Sequence, residues 1–218
     1  MNIKLEAART QMVNQQVRAW DVLDPAVLGV LAQVPREDFV PARYRSLAFA
    51  DTSVPLGHGQ FMLTPQVEGR LLQALAIRAT DRILEIGTGS GFLTACLAAL
   101  GAEVISLEIN PDLAGQARRA LSGRKVRNAE VLTTDAFSYL PAGTFDVIAI
   151  TGSIPAYDRR FQDWLSVGGR LFVVVGEAPL MEALLVQRSA PDTWTDRALF
   201  ETEIPPLLHA ATGERFRF

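Results

Sequence analysis

The stretch Leu84-Glu85-Ile86-Gly87-Thr88-Gly89-Ser90-Gly91-Phe92 joins a short apolar strand to a glycine-rich turn and then to an amphipathic helix. Its Gly-x-Gly-x-Gly spacing differs from the Gly-x-Gly-x-x-Gly fingerprint, in which the glycines make room for a pyrophosphate at a helix N-terminus. The carboxylate of Glu85 would repel phosphates but suits a cationic ligand. The pattern therefore predicts a cofactor loop. Its candidate binding residues are Glu85, Gly87, Thr88, Gly89, Ser90 and Gly91.

Two further acidic residues follow later strands. Glu108 ends an apolar strand about 20 residues after the loop, where a carboxylate can accept hydrogen bonds from both ribose hydroxyls. Asp135 follows the next strand and can accept a hydrogen bond from the amino group of adenine. The candidates for covering the faces of the adenine ring are Ile109 and Ala136 or Phe137.

The ligand expected here is an unphosphorylated nucleoside with a positively charged tail. Ligands of open α/β sheets bind outside the carboxyl ends of the strands, where the loop, Glu108 and Asp135 should meet. S-adenosyl-L-methionine has this chemistry, and S-adenosyl-L-homocysteine is its product after methyl transfer. The sequence therefore predicts S-adenosyl-L-methionine as the cofactor.

The composition indicates a globular enzyme. The chain has 218 residues, with 21 basic and 24 acidic residues and a net charge of −3. This length suits one well-buried domain plus an appendage. The chain has no Lys/Arg tract, no apolar secretion signal at its N-terminus and no run of the ~18 apolar residues that a membrane span needs. We therefore expect a cytoplasmic protein that binds neither nucleic acid nor membrane.

The cysteine and histidine content predicts no metal site. Cys96 is the single cysteine, forms no intramolecular disulfide and is expected to be a small buried apolar residue. His58 and His209 are far apart and have no cysteine nearby, so their spacing matches no metal-binding motif. The sequence leaves the oligomeric state open.

Residues 1–63 are expected to form an N-terminal helical flank that ends in an acceptor loop. Asp24-Pro25 provide the N-cap and the first-turn proline of a second helix in this flank. The residues expected on the buried face of the first helix are Met12, Val13, Val17 and Trp20.

Residues 64–218 are expected to form the cofactor-binding core. Thr64-Pro65 begin a helix, after which strands and helices alternate in a right-handed βαβ series. The predicted strands are 82–86, 103–108, 129–134, 145–150 and 170–176, followed by an antiparallel pair near 181–188 and 194–203. This pattern predicts an α/β fold with a doubly wound, mostly parallel, seven-strand-like sheet of Rossmann type, an antiparallel edge and the helical flank.

Several stretches outside the glycine loop resemble one family. These stretches are residues 34–41, 48–51, 54–60, 145–148 and 168–171. Together with residues 84–92, they make most of the chain similar to the protein-L-isoaspartate O-methyltransferases. The resemblance implies a Rossmann methyltransferase sheet and methyl transfer to a carboxylate of an isoaspartyl residue in an aged peptide or protein. The family role is repair, because the methyl ester collapses to a succinimide that reopens partly to normal aspartate.

The acceptor loop departs from the family at Leu63. The family typically follows its Gly-Gln pair with Thr-Ile-Ser before a proline, whereas this chain has Phe61-Met62-Leu63 before Thr64-Pro65. That serine hydroxyl is associated with the methyl-transfer site, so we expect weak or absent isoaspartyl turnover. Thr64 offers an adjacent hydroxyl, although its position before proline favours an N-cap role.

The remaining acceptor residues are expected in two loops. His58 and Gln60 lie in the loop over the methyl donor, where they would orient an acceptor oxygen. The resemblance implies that Thr151, Gly152 and Ser153 line the acceptor pocket, and Thr151 is also a cofactor candidate. This position lacks the Asn/Asp-Pro-Pro-Tyr/Phe segment of amino-group methyltransferases. The catalytic candidates are therefore His58, Gln60, Leu63, Thr64, Thr151 and Ser153.

Other interpretations keep the same fold. Phe61, Met62 and Leu63 make an apolar wall that suits a hydrophobic small-molecule acceptor. A non-catalytic protein that retains S-adenosylmethionine as a sensor or structural ligand is a further alternative. A nucleotide oxidoreductase fits least well, because the loop lacks the final spaced glycine for a pyrophosphate.

Overall fold

Helices and strands alternate along residues 3–211, the part of the chain that the computed structural model describes. The strands are β1 (Val54–Gly57), β2 (Gln60–Met62), β3 (Arg82–Ile86), β4 (Glu103–Glu108), β5 (Ala129–Thr133), β6 (Phe145–Ile154), β7 (Leu165–Glu177), β8 (Leu180–Ala190) and β9 (Thr193–Glu201). The α-helices are α1 (Ile3–Gln11), α2 (Pro25–Gln33), α3 (Pro65–Leu75), α4 (Phe92–Leu100), α5 (Pro111–Gly123) and α6 (Arg159–Asp163). The predicted flank begins at residue 1 and the predicted core ends at residue 218, and both of these positions lie outside the described residues.

The sheet confirms the predicted fold class. Seven strands pair in the order β5-β4-β3-β6-β7-β8-β9, while β1 and β2 form a separate antiparallel hairpin. The first five strands in this order are parallel, and β8 and β9 are antiparallel to their neighbours. The chain crosses from one side of β3 to the other between β5 and β6. A topological switch point of this kind opens a crevice at the carboxyl ends of the strands.

Apolar side chains cover both faces of the sheet. In β3, Ile83 packs into one hydrophobic cluster, whereas Leu84 and Ile86 pack into the other. This alternation follows from the two-residue period of a strand. The first cluster extends from Met12 in the N-terminal flank to Ile204 near the described C-terminal end. The flank and the sheet therefore share one continuous core.

The N-terminal flank departs from the predicted helix at Trp20. The residues that are buried as predicted are Met12, Val13 and Val17, but Trp20 is 43% exposed, so its prediction was wrong. After α1, the chain passes through a π-helical segment at residues 12–17 and a 3-10 turn at residues 18–20. These turns change the rotation per residue, which moves Trp20 away from the buried face.

Prolines occupy the first turns of α2 and α3 as predicted, and Pro111 occupies the first turn of α5. The Asp24 side chain accepts a hydrogen bond from the N–H of Ala26 at 2.8 Å, and Asn110 accepts one from Asp112 at 2.9 Å. Thr64 occupies the N-cap position of α3, but its side chain makes no capping hydrogen bond. The predicted N-cap position of Thr64 is therefore confirmed, but its hydroxyl does not cap the helix.

Two local features shape the carboxyl edge of the sheet. The β1–β2 hairpin turns at His58 and Gly59, whose φ angles are 55° and 71°. Positive φ at both central residues is typical of the tight hairpin turn that matches strand twist. Strand β6 continues to Ile154 instead of ending near residue 150, and its pairing with β7 shifts register between Ala149 and Ser153. Such irregularities redirect side chains at strand ends.

Candidate cofactor and acceptor site

A cavity, here called the large cavity, lies at the carboxyl ends of the parallel strands. Its lining from the sheet edge includes Gly87, Gly89, Glu108, Ile109, Asp135, Ala136, Phe137, Thr151 and Gly152. The β1–β2 hairpin contributes Leu56, His58, Gln60 and Phe61, and the C-terminal segment contributes residues 205–208. The structure therefore brings together the three predicted cofactor regions and part of the predicted acceptor loop.

A second cavity, here called the small cavity, lies between the hairpin and the glycine loop. Its lining residues are Leu56, Phe61, Met62, Leu63, Glu68, Glu85, Gly87, Thr88, Gly89, Ser90, Leu93 and Thr151. Leu56, Phe61, Gly87, Gly89 and Thr151 line both cavities. The two cavities are therefore adjacent parts of one site.

The glycine loop has a backbone that requires glycine. The φ angles of Gly87, Gly89 and Gly91 are 94°, 53° and 84°, a region that residues with a Cβ rarely adopt. A Cβ added to Gly89 would lie 3.1 Å from Leu56 Cδ1, and one added to Gly91 would lie 3.2 Å from Ala117 Cβ. The loop therefore brings bare backbone to the wall of both cavities.

The hydroxyls of the glycine loop make hydrogen bonds within the protein. The Thr88 hydroxyl lies 2.6 Å from that of Ser106, and the Ser90 hydroxyl accepts the N–H of Phe92 at 3.2 Å. Both Thr88 and Ser90 line the small cavity. Their side chains hold the loop, while their contact with the cofactor stays a prediction.

Glu85 is fully buried below the glycine loop. Its Oε2 accepts hydrogen bonds from Thr94 and Ser106, whereas no hydrogen-bond partner for Oε1 lies among residues 3–211. Burial raises the pKa of Glu85 to about 8; the two hydroxyls lower it, and the charges of Glu108 and Glu68 raise it. A cation that donates to Oε1 would satisfy this atom and stabilise the ionised carboxylate.

Glu108 ends β4 in the wall of the large cavity. Gly89 N–H donates to its Oε2 at 2.8 Å, and Asn110 N–H donates to its Oε1 at 3.0 Å. Each carboxylate oxygen has a further lone pair, so Glu108 can also accept two ribose hydroxyls. Ile109, the predicted cover of the adenine ring, lines the same cavity.

Asp135 interacts with a histidine that sequence analysis did not place here. Its Oδ1 accepts the N–H of Phe137 at 2.9 Å, and its Oδ2 lies 2.7 Å from Nδ1 of His209. Partial burial raises the pKa of Asp135, but the hydrogen bonds from His209 and Phe137 lower it overall. An adenine amino group at Oδ2 would share this atom with His209 or displace the imidazole. Ala136, beside Asp135, is buried in the cavity wall.

The predicted acceptor residues separate into two groups. His58 and Gln60 line the large cavity, and Nε2 of His58 lies 3.4 Å from a carboxylate oxygen of Asp112. Leu63 lines the small cavity, whereas Thr64 lines neither cavity. The structure therefore places an apolar side chain at the site and leaves the adjacent hydroxyl outside it.

Thr151 and Ser153 do not present free hydroxyls to an acceptor. Thr151 lines both cavities, but its hydroxyl donates to the carbonyl oxygens of Ile86 at 3.0 Å and Gly87 at 2.6 Å. Ser153 is completely buried and donates to the carbonyl of Ile204 at 3.1 Å. The prediction that Ser153 lines the acceptor pocket was wrong, because its side chain is buried against the C-terminal segment and lines neither cavity.

The C-terminal segment 202–211 is a part of the site that sequence analysis missed. Ser153 N–H donates to the Pro205 carbonyl at 2.9 Å, and Leu207 N–H donates to the Ser153 carbonyl at 2.8 Å. A Cβ added to Gly152 would lie 2.8 Å from Leu207 Cδ2. Pro205 and Pro206 lack N–H groups and interrupt regular helix or strand patterns, so the local sequence did not indicate this contact.

A buried ion pair between Arg36 and Glu68 was also missed. Their side chains are 1% and 2% exposed. Arg36 donates to the carbonyls of Ala48 at 2.9 Å and Leu63 at 2.6 Å. Burial raises the pKa of Glu68, while the charge and hydrogen bond of Arg36 lower it. The available signal was an acidic residue on the apolar face of α3, in helical register with Leu71 and Leu75.

The chemistry of the site fits a nucleoside with a cationic tail. Gly89 brings bare backbone to both cavities, one oxygen of Glu85 has no partner among residues 3–211, and Glu108 ends the next strand. Within residues 3–211, no group of three or more His, Cys, Asp or Glu side chains could hold a metal ion. No helix in this range is long and apolar enough to cross a membrane. The doubly wound sheet and these three features fit the predicted S-adenosylmethionine cofactor.

Comparison with known proteins identifies the family. Residues 7–206 match the model of the Protein-L-isoaspartate(D-aspartate) O-methyltransferase family. The chain is 39% identical over 197 residues to Protein-L-isoaspartate O-methyltransferase 1 of Anaeromyxobacter sp. (strain Fw109-5), covering 89% of this chain and 91% of that relative. It is 35% identical over 204 residues to the enzyme of the same name from Rhodopseudomonas palustris (strain HaA2), with 93% and 83% covered. The chain belongs to this family.

A solved structure shows the same fold. A Plasmodium falciparum protein described as a protein-L-isoaspartate O-methyltransferase, crystallised with S-adenosyl-L-homocysteine, superposes with a TM-score of 0.81. The superposition covers 91% of this chain and 97% of that chain, at 20% sequence identity. The predicted family, fold, enzyme class and S-adenosylmethionine cofactor are confirmed.

Proposed function

We propose that the protein transfers the methyl group of S-adenosylmethionine to a carboxylate oxygen of an isoaspartyl residue in a peptide or protein. The observation that carries this proposal is the position of the β1–β2 hairpin over the glycine loop, where Leu56 and Phe61 line both cavities together with Gly87 and Gly89. This arrangement supports a role of the hairpin as an acceptor loop, because a methyl donor bound at the glycine loop would lie beside it. The ester product would collapse to a succinimide, which is the chemistry of protein repair.

The cofactor roles follow from the three strand ends. Glu108 would accept the ribose hydroxyls, Asp135 the adenine amino group, and Glu85 the cationic end of the methionine tail. Ile109 and Ala136 supply apolar surface for the adenine ring. The bound cofactor supplies an electrophilic methyl group on its sulfonium.

The acceptor side needs alignment rather than a general base. A carboxylate is ionised at neutral pH and attacks with its own lone pair, so no proton has to be removed. Gln60 and His58 line the large cavity, where their donors would orient the acceptor oxygen. The apolar hairpin residues Leu56 and Phe61 would exclude water and hold the reacting atoms close together. Thr151 stabilises the loop, since its hydroxyl donates to the Gly87 carbonyl.

A hydrophobic small molecule is the second candidate acceptor. Phe61 and Leu208 both line the large cavity while remaining 44% and 49% exposed, and Leu63 lines the small cavity. An ionised carboxylate against such a surface loses hydration without hydrogen-bond compensation. The apolar wall therefore slows an isoaspartyl acceptor and favours an apolar one.

Methyl transfer from labelled cofactor to an isoaspartyl peptide, beside its normal aspartyl twin, tests the proposal. We expect slow, isoaspartyl-selective transfer by the natural chain. The Phe61→Thr, Leu63→Ser double variant should be about 10- to 100-fold faster, because each ~1.4 kcal/mol removed from the barrier gives a factor of ten. Its dissociation constant for S-adenosylmethionine should not change.

The matched control is the Phe61→Ala, Leu63→Ala double variant, which makes space without adding hydroxyls. An equal gain in the methyl-transfer rate of this control would show that the size of Phe61 and Leu63, and not the lack of hydroxyl groups, limits the rate of the natural chain. Fast isoaspartyl turnover by the natural chain would contradict the role given to Leu63. Absence of isoaspartyl transfer in every variant would contradict the proposed function and leave the apolar acceptor.

A further inference from the structure

The small cavity contains an acidic residue that none of the predicted roles uses. Glu68 of α3 lines this cavity together with Glu85, on a wall that also includes Gly87 and Leu63. Both carboxyl groups are buried, with residue exposures of 2% for Glu68 and 0% for Glu85. Two acidic side chains from different elements therefore line one cavity beside the glycine loop.

Arg36 holds Glu68 in this position. Its NH1 group pairs with Oε2 of Glu68, while its other nitrogens donate to the carbonyls of Ala48 and Leu63. The guanidinium lies 4.9 Å from the centroid of the Phe92 ring. A buried arginine fixed by four separate contacts leaves the carboxylate little freedom to move. The ion pair therefore presents Glu68 rigidly at the small cavity.

One carboxylate oxygen in the wall of the small cavity lacks a hydrogen-bond donor among the described residues. Oε1 of Glu85 is buried and has no partner among the described residues, although its Oε2 accepts from Thr94 and Ser106. A buried acceptor without a partner is costly. An ammonium group has three N–H donors, which is enough in number to serve two carboxyl groups, whereas a sulfonium has none.

We propose that Glu68, oriented by Arg36, acts with Glu85 to hold the ammonium group of the cofactor's methionine tail. The proposal rests on the cofactor arrangement given under the proposed function and adds Glu68 as a binding residue. Glu68 belongs to α3, the helix that follows the acceptor hairpin, whereas Glu85 belongs to β3, the strand that leads into the glycine loop. The two carboxylates would therefore fix the direction of the tail.

Binding calorimetry with two ligands tests this role without any methyl acceptor. The ligands are S-adenosylhomocysteine and its deamino analogue, in which hydrogen replaces the amino group. The natural chain should prefer S-adenosylhomocysteine. Glu68→Gln should reduce that preference by about tenfold, within the range expected for a hydrogen bond to a charged group. Affinity for the deamino analogue should stay unchanged, since that ligand has no ammonium group.

Glu37→Gln is the matched control, because Glu37 also forms a buried pair with an arginine, Arg9, but lines neither cavity. This variant should keep the full preference. The Arg36→Met, Glu68→Leu double variant removes the pair without leaving a lone buried charge, and it should show the same loss as Glu68→Gln.

Three outcomes would overturn the proposal. The first is an unchanged preference in folded Glu68→Gln or in the double variant. The second is an equal loss of affinity for both ligands, which would assign Glu68 a purely structural role. The third is an equal effect of Glu37→Gln. Failure of isoaspartyl methylation would leave these results unaffected, because the assay contains no acceptor.

Discussion

Among single residues, Glu108 combines two tasks at the end of β4. Its carboxylate accepts the N–H groups of Gly89 and Asn110, and it faces the large cavity. We expect Glu108→Ala to weaken S-adenosylmethionine binding by about 1–3 kcal/mol, because the ribose hydroxyls lose a charged acceptor in an enclosed site. Calorimetry measures this loss, with circular dichroism to check the fold. Glu103→Ala, at the exposed start of the same strand, is the control, and an unchanged affinity in Glu108→Ala would remove Glu108 from the site.

Gly89 is the residue of the glycine loop at which an added side chain should lower cofactor affinity most. Its φ of 53° is strained for a β-branched residue, and an added Cβ would already lie 3.1 Å from Leu56 Cδ1. We expect Gly89→Val to lower cofactor affinity more than Glu108→Ala, since it distorts the loop and fills the space of the methionine tail. Equilibrium binding of labelled cofactor gives the comparison. Gly123→Val, where nothing lies within 4 Å of the added Cβ, should bind normally; normal binding by Gly89→Val would contradict the loop assignment.

The sequence predicted site residues that follow a strand and missed those brought in by tertiary packing. Glu85 and Glu108 were predicted because each has a fixed position relative to a strand and the glycine turn. The pairing of Asp135 with His209 joins residues 74 positions apart, and nothing in their local sequence indicates it. Glu68 was missed for a similar reason, since its partner Arg36 lies in another element of the flank.

Among the elements, the C-terminal segment depends on Ser153 of β6. The Ser153 hydroxyl donates to the Ile204 carbonyl in a fully buried position. We expect Ser153→Ala to lower the free energy of unfolding by about 1–2 kcal/mol, because a buried carbonyl loses its donor. Urea unfolding measures this change. Ser189→Ala, at an exposed hydroxyl, should stay within about 0.5 kcal/mol of the natural chain.

A large loss of methyl-transfer rate in Ser153→Ala, with unchanged stability, would restore Ser153 to the acceptor pocket. The buried hydroxyl instead predicts that both variants keep a similar rate when each is assayed well below its unfolding transition. This comparison separates a residue that holds the wall of the large cavity from one that contacts the acceptor.

Helices and strands were predictable where the apolar residues of a segment follow a single helical or strand spacing. Strand β3 has the predicted limits, 82–86, and helix α3 begins at the predicted proline, Pro65, because apolar spacing and a first-turn proline mark these elements. The extension of β6 to Ile154 was not predictable, because it depends on a register shift against β7. The Trp20 error has a similar origin, since the change from α-helical to π and 3-10 turns is set by packing of the flank.

Across the whole molecule, buried acids make stability depend on pH. Burial raises the pKa of Glu85 from 4.5 to about 8, so between these values the folded chain binds a proton that the unfolded chain has released. Stability must then fall as pH rises through this window. Burial also raises the pKa of Glu68, which acts in the same direction. Asp135 and Asp146 have pKa values lowered from 3.8, so their stabilising effect is lost only in more acidic solution.

We therefore expect the cofactor-free protein to be less stable at pH 8 than at pH 5. The decrease in the free energy of unfolding should be on the order of 3 kcal/mol, with a slope of at most ~1.4 kcal/mol per pH unit for one group. Urea unfolding at several pH values measures this slope. Glu85→Gln should flatten it, because an amide does not titrate, whereas Glu103→Gln should leave it unchanged. A stability that stays constant or rises from pH 5 to pH 8 in the natural chain would show that Glu85 is already ionised in the folded state.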